Sequence, residues 1–236
     1  FPYTTLFRSI MRDVLIALLP AVLAGCVVFG LRALLVVAVT TAACVFFEWG
    51  FEKLCHTPST ISDLSAAVTG VLLAMNLPVS IPLWQAVFGA LVAIVAVKGL
   101  FGGIGKNFAN PAITARIVMF LAFSKTMTAW VFPDAVSSAT PLAMMANGES
   151  VDYLTLLLGN HGGCLGETSA LALLIGFAYL LIRGVISWHT PVCFVGTVFV
   201  MSLILGQDAV GQILSGGLML GAIFMATDRS EEHTSE

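Results

Sequence analysis

The sequence predicts an all-α polytopic membrane protein with about eight transmembrane helices. Of its 236 residues, 58% are hydrophobic and only 10% are charged. The mean hydropathy is +1.00. The apolar residues form long runs cut by Gly, Pro and charge, without the alternation of half-buried strands. Soluble domains carry roughly 25% charged residues, so the composition excludes a soluble enzyme and a disordered tail. A net charge of −3 with no basic run excludes a nucleic-acid partner.

A spanning helix needs about 20 apolar residues. Eight runs qualify, at about 13–30, 33–51, 61–77, 82–100, 110–131, 166–182, 189–206 and 210–227. The first two are separated only by Gly30-Leu31-Arg32, which predicts a tight helical hairpin. The third is only partly apolar and ends Met75-Asn76-Leu77-Pro78. Such an interrupted span belongs inside a bundle, where neighbours satisfy its backbone.

Residues 10–228 read as one membrane-embedded domain. The flanking segments 1–9 (FPYTTLFRS) and 229–236 (RSEEHTSE) differ in character and resemble translated adapter sequence. Neither has the layout of a signal peptide, and both are set aside from fold reasoning.

Orientation follows from Lys and Arg, which favour cytoplasmic loops. With the N-terminus cytoplasmic, the inner loops hold Arg12, Lys53, Lys98, Lys106 and Arg183, and the outer loops hold Arg32 and Lys125. The long loop 124–165 then faces outward. The third and eighth runs echo one another, Thr69-Gly70-Val71-Leu72-Leu73-Ala74-Met75 against Gly217-Leu218-Met219-Leu220-Gly221-Ala222. An offset of five spans inverts topology, as in transporter repeats that place sites near the midplane. On that reading the chain is a C-terminally truncated fragment of a ten-helix inverted-repeat bundle.

Five cysteines lie far apart without a C-x-x-C pair, and four sit in or beside apolar runs. They read as small packing residues. Cys164, in a Gly-rich loop, is the exception. No metal site is expected.

Three segments carry candidate chemistry. In the outer loop, Asp134-Ala135-Val136-Ser137-Ser138-Ala139-Thr140-Pro141-Leu142 reads as a helix start, with Thr140 as N-cap and Pro141 in first position. A hydroxyl there is also exposed, with amides nearby to hold a phosphate. Two Gly-rich loops open helices: Gly102-Gly103-Ile104-Gly105-Lys106-Asn107 before Asn110-Pro111-Ala112, and Gly159-Asn160-His161-Gly162-Gly163-Cys164-Leu165-Gly166-Glu167-Thr168-Ser169. Neither has nucleotide P-loop spacing. Each permits either close helix packing or close approach of a ligand.

These segments, with the terminal S-G-G-L-M-L-G-A-I-F-M-A-T-D, resemble the D subunit of the Rnf complex, the bacterial ion-translocating ferredoxin:NAD oxidoreductase. The resemblance runs in order over essentially all of 10–228. The related B subunit of the sodium-translocating NADH:quinone reductase shares most of the motifs. The resemblance implies FMN bound covalently through a phosphoester, attached by a flavin transferase at the Thr ending a D-x-x-[ST]-G-A-[ST] pattern. That pattern falls on Asp134, Ser137, Ser138, Ala139 and Thr140, with Ser138 where Gly is usual. Gly166, Glu167 and Thr168 are further candidates for cofactor contact, and a second, non-covalent riboflavin is implied without assignable residues. The implied role is a redox-driven translocase subunit, not catalytic alone, relaying electrons between partner subunits in the bacterial cytoplasmic membrane, coupled to Na⁺ or H⁺. The implied partners are the other Rnf subunits, the transferase and membrane lipid. Family members continue with two further spans where Arg229 begins the final segment. A channel or small-solute transporter without flavin, on the same scaffold, is the alternative.

Ionisable residues within spans are functional candidates by default. Glu48, Arg116 and Glu167 qualify, whereas Asp13, Asp63, Asp208 and Asp228 lie near span ends.

Overall fold

A computed structural model describes residues 2–57, 59–103, 109–130, 140–159, 161–215 and 217–227. Every regular element among them is helical. Helix α1 (Pro2–Phe29) carries Pro20 internally, and Gly30 joins it to α2 (Leu31–Cys55). Gly30 has φ 72°, a left-handed value that glycine adopts without a Cβ clash. A 3₁₀ turn, Ile61–Asp63, leads into α3 (Ser65–Met75). Helix α4 (Leu83–Leu91) continues as a π-helical stretch, Val92–Gly99. Asn110 caps α5 (Pro111–Ala122), its Oδ1 accepting from the N–H of Ala112 at 3.0 Å and of Ile113 at 3.3 Å.

Four short or interrupted pieces follow: α6 (Ser124–Met127), α7 (Pro141–Ala146), α8 (Tyr153–Leu158) and a 3₁₀ turn, Leu165–Glu167. Then come α9 (Ala170–Ile182), α10 (His189–Ile204), α11 (Ala209–Leu214) and α12 (Leu218–Leu220), the last running into a π-helical Gly221–Met225.

Several expected spans are shorter or more broken than their apolar runs. The fifth stops at Ala122 because Phe123 leaves the helical region (φ −131°, ψ 44°). The sixth begins only at Ala170, where the Ser169 hydroxyl accepts from Ala172 N–H, so Glu167 lies in the preceding turn. The eighth divides into α11 and α12, with Ser215 extended (φ −99°, ψ 153°). By length and composition two helices can cross a membrane, Leu6–Phe29 and Leu31–Cys55, and five shorter apolar helices accompany them.

The first two helices part company after Gly30. Helix α1 packs chiefly on α9, and α2 on α3 and α4. Small residues set these crossings. A Cβ on Gly70 would lie 2.6 Å from Thr41 Cα, and one on Gly176 would lie 2.3 Å from Ala17 O.

Cross-helix contacts sort the helix ends onto two faces. On one face Asp13 of α1 meets Arg183 after α9 at 3.1 Å. A cavity there joins Leu6, Ser65, Lys98, Asn110, Val185 and Thr227. On the other face Arg32 donates to Ile81 O at 2.9 Å, and Ser80 donates to Ala129 O at 2.7 Å. The chain therefore alternates between the two faces as it passes through α1, α2, α3, α4 and α5. Between the faces the outside is apolar, with Leu23, Val27, Leu121, Ile182 and Ile204 exposed. A surface so broadly apolar marks contact with lipid or another chain.

Candidate functional site

The polar centre of the bundle is built where helices stop. Helix α3 ends at Asn76, whose side-chain amide turns back to donate to Leu72 O at 2.8 Å. Its Oδ1 is thereby free to accept from Arg116 Nη1, also at 2.8 Å. Arg116 projects from α5, and its Nη2 reaches Glu167 Oε1 at 3.2 Å and Cys164 Sγ at 3.5 Å. Glu167 closes the turn on itself, Oε2 accepting from Cys164 N–H at 3.3 Å. That turn is anchored to the end of α3 by Leu165 N–H donating to Leu77 O at 3.2 Å. One guanidinium thus ties two chain breaks, the end of α3 and the turn before α9, to α5.

Gly166 lies wedged between the two echoing segments. A Cβ there would sit 2.8 Å from Leu220 Cδ2 and 2.9 Å from both Met75 Cβ and Met75 O. Gly217 leaves room on the far side, where a Cβ would lie 3.3 Å from Arg116 Nη1 and 3.4 Å from Glu167 Oε1. The Thr168 hydroxyl donates to Leu165 O at 3.1 Å and is buried. Gly166 and Thr168 therefore shape the turn, and Glu167 holds Arg116.

Beside this centre opens a cavity of about 350 Å³, lined among others by Arg116, Asn76, Phe194, Gln212, Ser215 and Leu142. Leu142 belongs to the first turn of α7, two residues after Thr140. Thr140 is extended (φ −64°, ψ 155°) and caps α7, its hydroxyl accepting from Ala143 N–H at 3.4 Å. The expected N-cap and first-position proline are both present. Asp134, Ser137, Ser138 and Ala139 lie outside the described residues, as does most of the Gly102–Asn107 loop.

In the loop before α9, burial pushes the Cys164 thiol well up and the His161 imidazole down. His161 Nδ1 lies 3.2 Å from Gly162 O, and its buried Nε2 has no partner. The described cysteines are all free. No metal-competent group of three His, Cys, Asp or Glu occurs among the described residues.

A second polar cluster gathers around Glu48, one of the span carboxylates noted above, and its partner was not anticipated. Lys98, counted above as a loop charge, is buried in the π-helical end of α4 and pairs with Glu48. Without it the inner-loop bias of Lys and Arg is smaller. Lys98 Nζ also donates to Ser65 Oγ at 2.6 Å. The sequence signal was the four-residue spacing of Glu48 and Glu52, which puts both carboxylates on one face of α2.

An all-α body with an apolar exterior, whose polar groups converge on interrupted helices, defines the class as an α-helical membrane protein. The chain belongs to the NQR2, RnfD, RnfE family, whose model matches residues 3–235. It is similar to the D subunit of the Na(+)-translocating ferredoxin:NAD(+) oxidoreductase complex of Acetobacterium woodii, 47% identical over 228 residues, spanning 93% of this chain and 72% of that one. The D subunit of the proton-translocating ferredoxin:NAD(+) oxidoreductase complex of Clostridium ljungdahlii is 36% identical over 93% of this chain and 73% of its own. The B subunit of the Na(+)-translocating NADH-quinone reductase of Azotobacter vinelandii is 37% identical over 68% of this chain and 45% of its own.

Proposed function

We propose that this chain is the flavin-carrying membrane subunit of an Rnf-type ion-translocating oxidoreductase complex. It carries FMN through a phosphoester on Thr140 and relays electrons between partner subunits. The observation that carries the reading is the joining of α7 to the Arg116 cavity. The hydroxyl named by the attachment pattern starts a helix whose first turn lines a cavity with apolar walls and a cationic, amide-bearing edge. That lining suits a flat aromatic ring with a polar rim.

FMN, when bound, supplies the electron chemistry; the protein supplies position and electrostatics. Arg116 would set a positive charge against the ring's polar edge, favouring reduction. Asn76 and Glu167 fix the guanidinium from two sides, so its charge is held in place. Phe194 and Leu142 would exclude water from the ring face. A non-covalent riboflavin belongs to the same reading, with no residues assigned.

In this reading eight helical passes cross the bacterial cytoplasmic membrane, with the N-terminus inside and loop 124–165 outside. The alternation of helix ends between two faces supports it. The packing of Gly166 between the α3 and α12 segments supports the inverted repeat. One of these relatives belongs to a Na(+)-translocating complex and another to a proton-translocating one, so the coupling ion is left open. Partners would be the other members of the complex, a flavin transferase and lipid.

The test is expression with a flavin transferase followed by a denaturing gel. A fluorescent band that survives SDS and vanishes in Thr140→Ala is the expected result. A dark band from folded wild-type chain would remove the flavin role.

A further inference from the structure

We infer that an open groove along α2 seats one acyl chain of an anionic phospholipid, whose headgroup is received by Lys53. The inference needs only the membrane class of the chain and is independent of the flavin proposal. The groove has a volume of about 780 Å³ and is lined among others by Val37, Ala38, Ala42, Phe46 and Trp49 of α2, with Ile61 at its edge. Ala38 and Ala42 put little bulk on this side of the helix and are themselves exposed.

From Val37 to Trp49 the groove runs about 18 Å, at about 1.5 Å per residue of helix. That is close to the depth of one leaflet, half of a hydrocarbon core about 30 Å thick. One end of the groove is aromatic: the Phe46 and Trp49 rings lie 6.0 Å apart between centroids, and both are exposed. Tryptophan favours the headgroup level, so the Trp49 end is interfacial and the Val37 end lies near the midplane. Lys53, one turn beyond, places its ammonium 4.7 Å from the Trp49 ring centroid. A lysine stem lying along apolar surface, with its charge carried to headgroup depth, complements an acidic lipid.

Lys53 sets the sign of the site. No acidic side chain lines the groove among the described residues. Glu48 and Glu52 are buried on the adjoining face of α2, where Lys98 and Thr60 hold them. Asp63 follows Ile61 by two residues and accepts from Ser65 N–H at 2.8 Å. Deeper in the groove, the Thr41 hydroxyl is buried without a partner. A helical threonine can turn its hydroxyl to the carbonyl one turn back, so this position does not require a polar occupant.

Quenching of tryptophan fluorescence by lipids brominated in the acyl chain, with the 236-residue chain in nanodiscs, tests the inference. Trp84→Phe, Trp130→Phe and Trp188→Phe leave Trp49 as the single reporter. In a fixed mixture of phosphatidylglycerol and phosphatidylcholine, brominating one lipid at a time reports which of them sits in the groove. Phosphatidylglycerol should be preferred roughly fivefold, the factor that one surface lysine implies. Lys53→Gln should abolish the preference and Lys53→Arg should retain it. Equal quenching by the two lipids, or a preference that survives Lys53→Gln, overturns the inference. The same measurement on the assembled complex separates lipid from a partner's helix. Loss of quenching there gives the groove to protein and overturns the inference too. Should the triple background not fold, subtracting the Trp49→Phe signal from that of wild type isolates the same reporter.

Discussion

Arg116 of α5 and Glu167 of the turn before α9 approach to 3.2 Å, and this pair joins the fifth helix to the loop that opens the ninth. Glu167 is largely buried and Arg116 only partly so, with side chains 12% and 31% exposed. Glu167→Gln keeps the shape but leaves the guanidinium without its counter-charge. A loss of about 1–3 kcal/mol is expected from the desolvated partner, read as a lowered thermal midpoint in nanodiscs. Arg116→Lys should not restore stability, since a point charge cannot serve Asn76 and Glu167 together.

If FMN occupies the adjoining cavity, Arg116→Met should lower its midpoint potential, because a fixed positive charge beside the ring favours the reduced form. Spectroelectrochemical titration of transferase-treated protein would reveal the shift. An unchanged potential would separate the cavity from the cofactor.

Two glycines predict opposite outcomes. Gly70→Ala puts a methyl 2.6 Å from Thr41 Cα and should cost about 1–3 kcal/mol by forcing α2 and α3 apart. Gly221→Ala meets nothing within 4 Å. It should be neutral or stabilise by about 0.5–1 kcal/mol, through reduced backbone freedom in the unfolded chain. Paired thermal melts distinguish the two.

His161 makes stability depend on pH. Burial holds its folded value below that of the unfolded chain, so the unfolded state binds the proton first. The contribution of neutral His161 is complete above the ordinary histidine value. It is lost progressively as the pH falls below that value toward the folded one. Wild type should therefore melt earlier on mild acidification, and His161→Leu should flatten that part of the profile.

Cysteine reactivity should follow burial. Cys164 is buried with its thiol pushed well up, and thiolate is the reactive form. A small alkylating reagent at neutral pH should label exposed Cys55 at the end of α2 and leave Cys164 unmodified. Peptide mass spectrometry reads the outcome directly.

Much of the fold was legible in the sequence, because apolar length and helix punctuation are local. Asn110-Pro111 and Thr140-Pro141 each mark a helix start, and both stand where the cap chemistry requires. The breaks were less legible. The run 210–227 is apolar throughout, yet it divides at Ser215, and nothing in its composition distinguishes a broken helix from a whole one. Lys98 looked like a loop charge because its burial depends on Glu48, fifty positions away.

What the sequence alone determined is the solvent this chain must fit, the helical class and the helix start at Thr140-Pro141. Tertiary structure alone decided which polar groups meet: Arg116 with Asn76 and Glu167, and Lys98 with Glu48. The reason is one of range. Hydropathy and capping act within a few residues, whereas a buried charge must find its partner on another helix, and only the packed bundle specifies which helix that is.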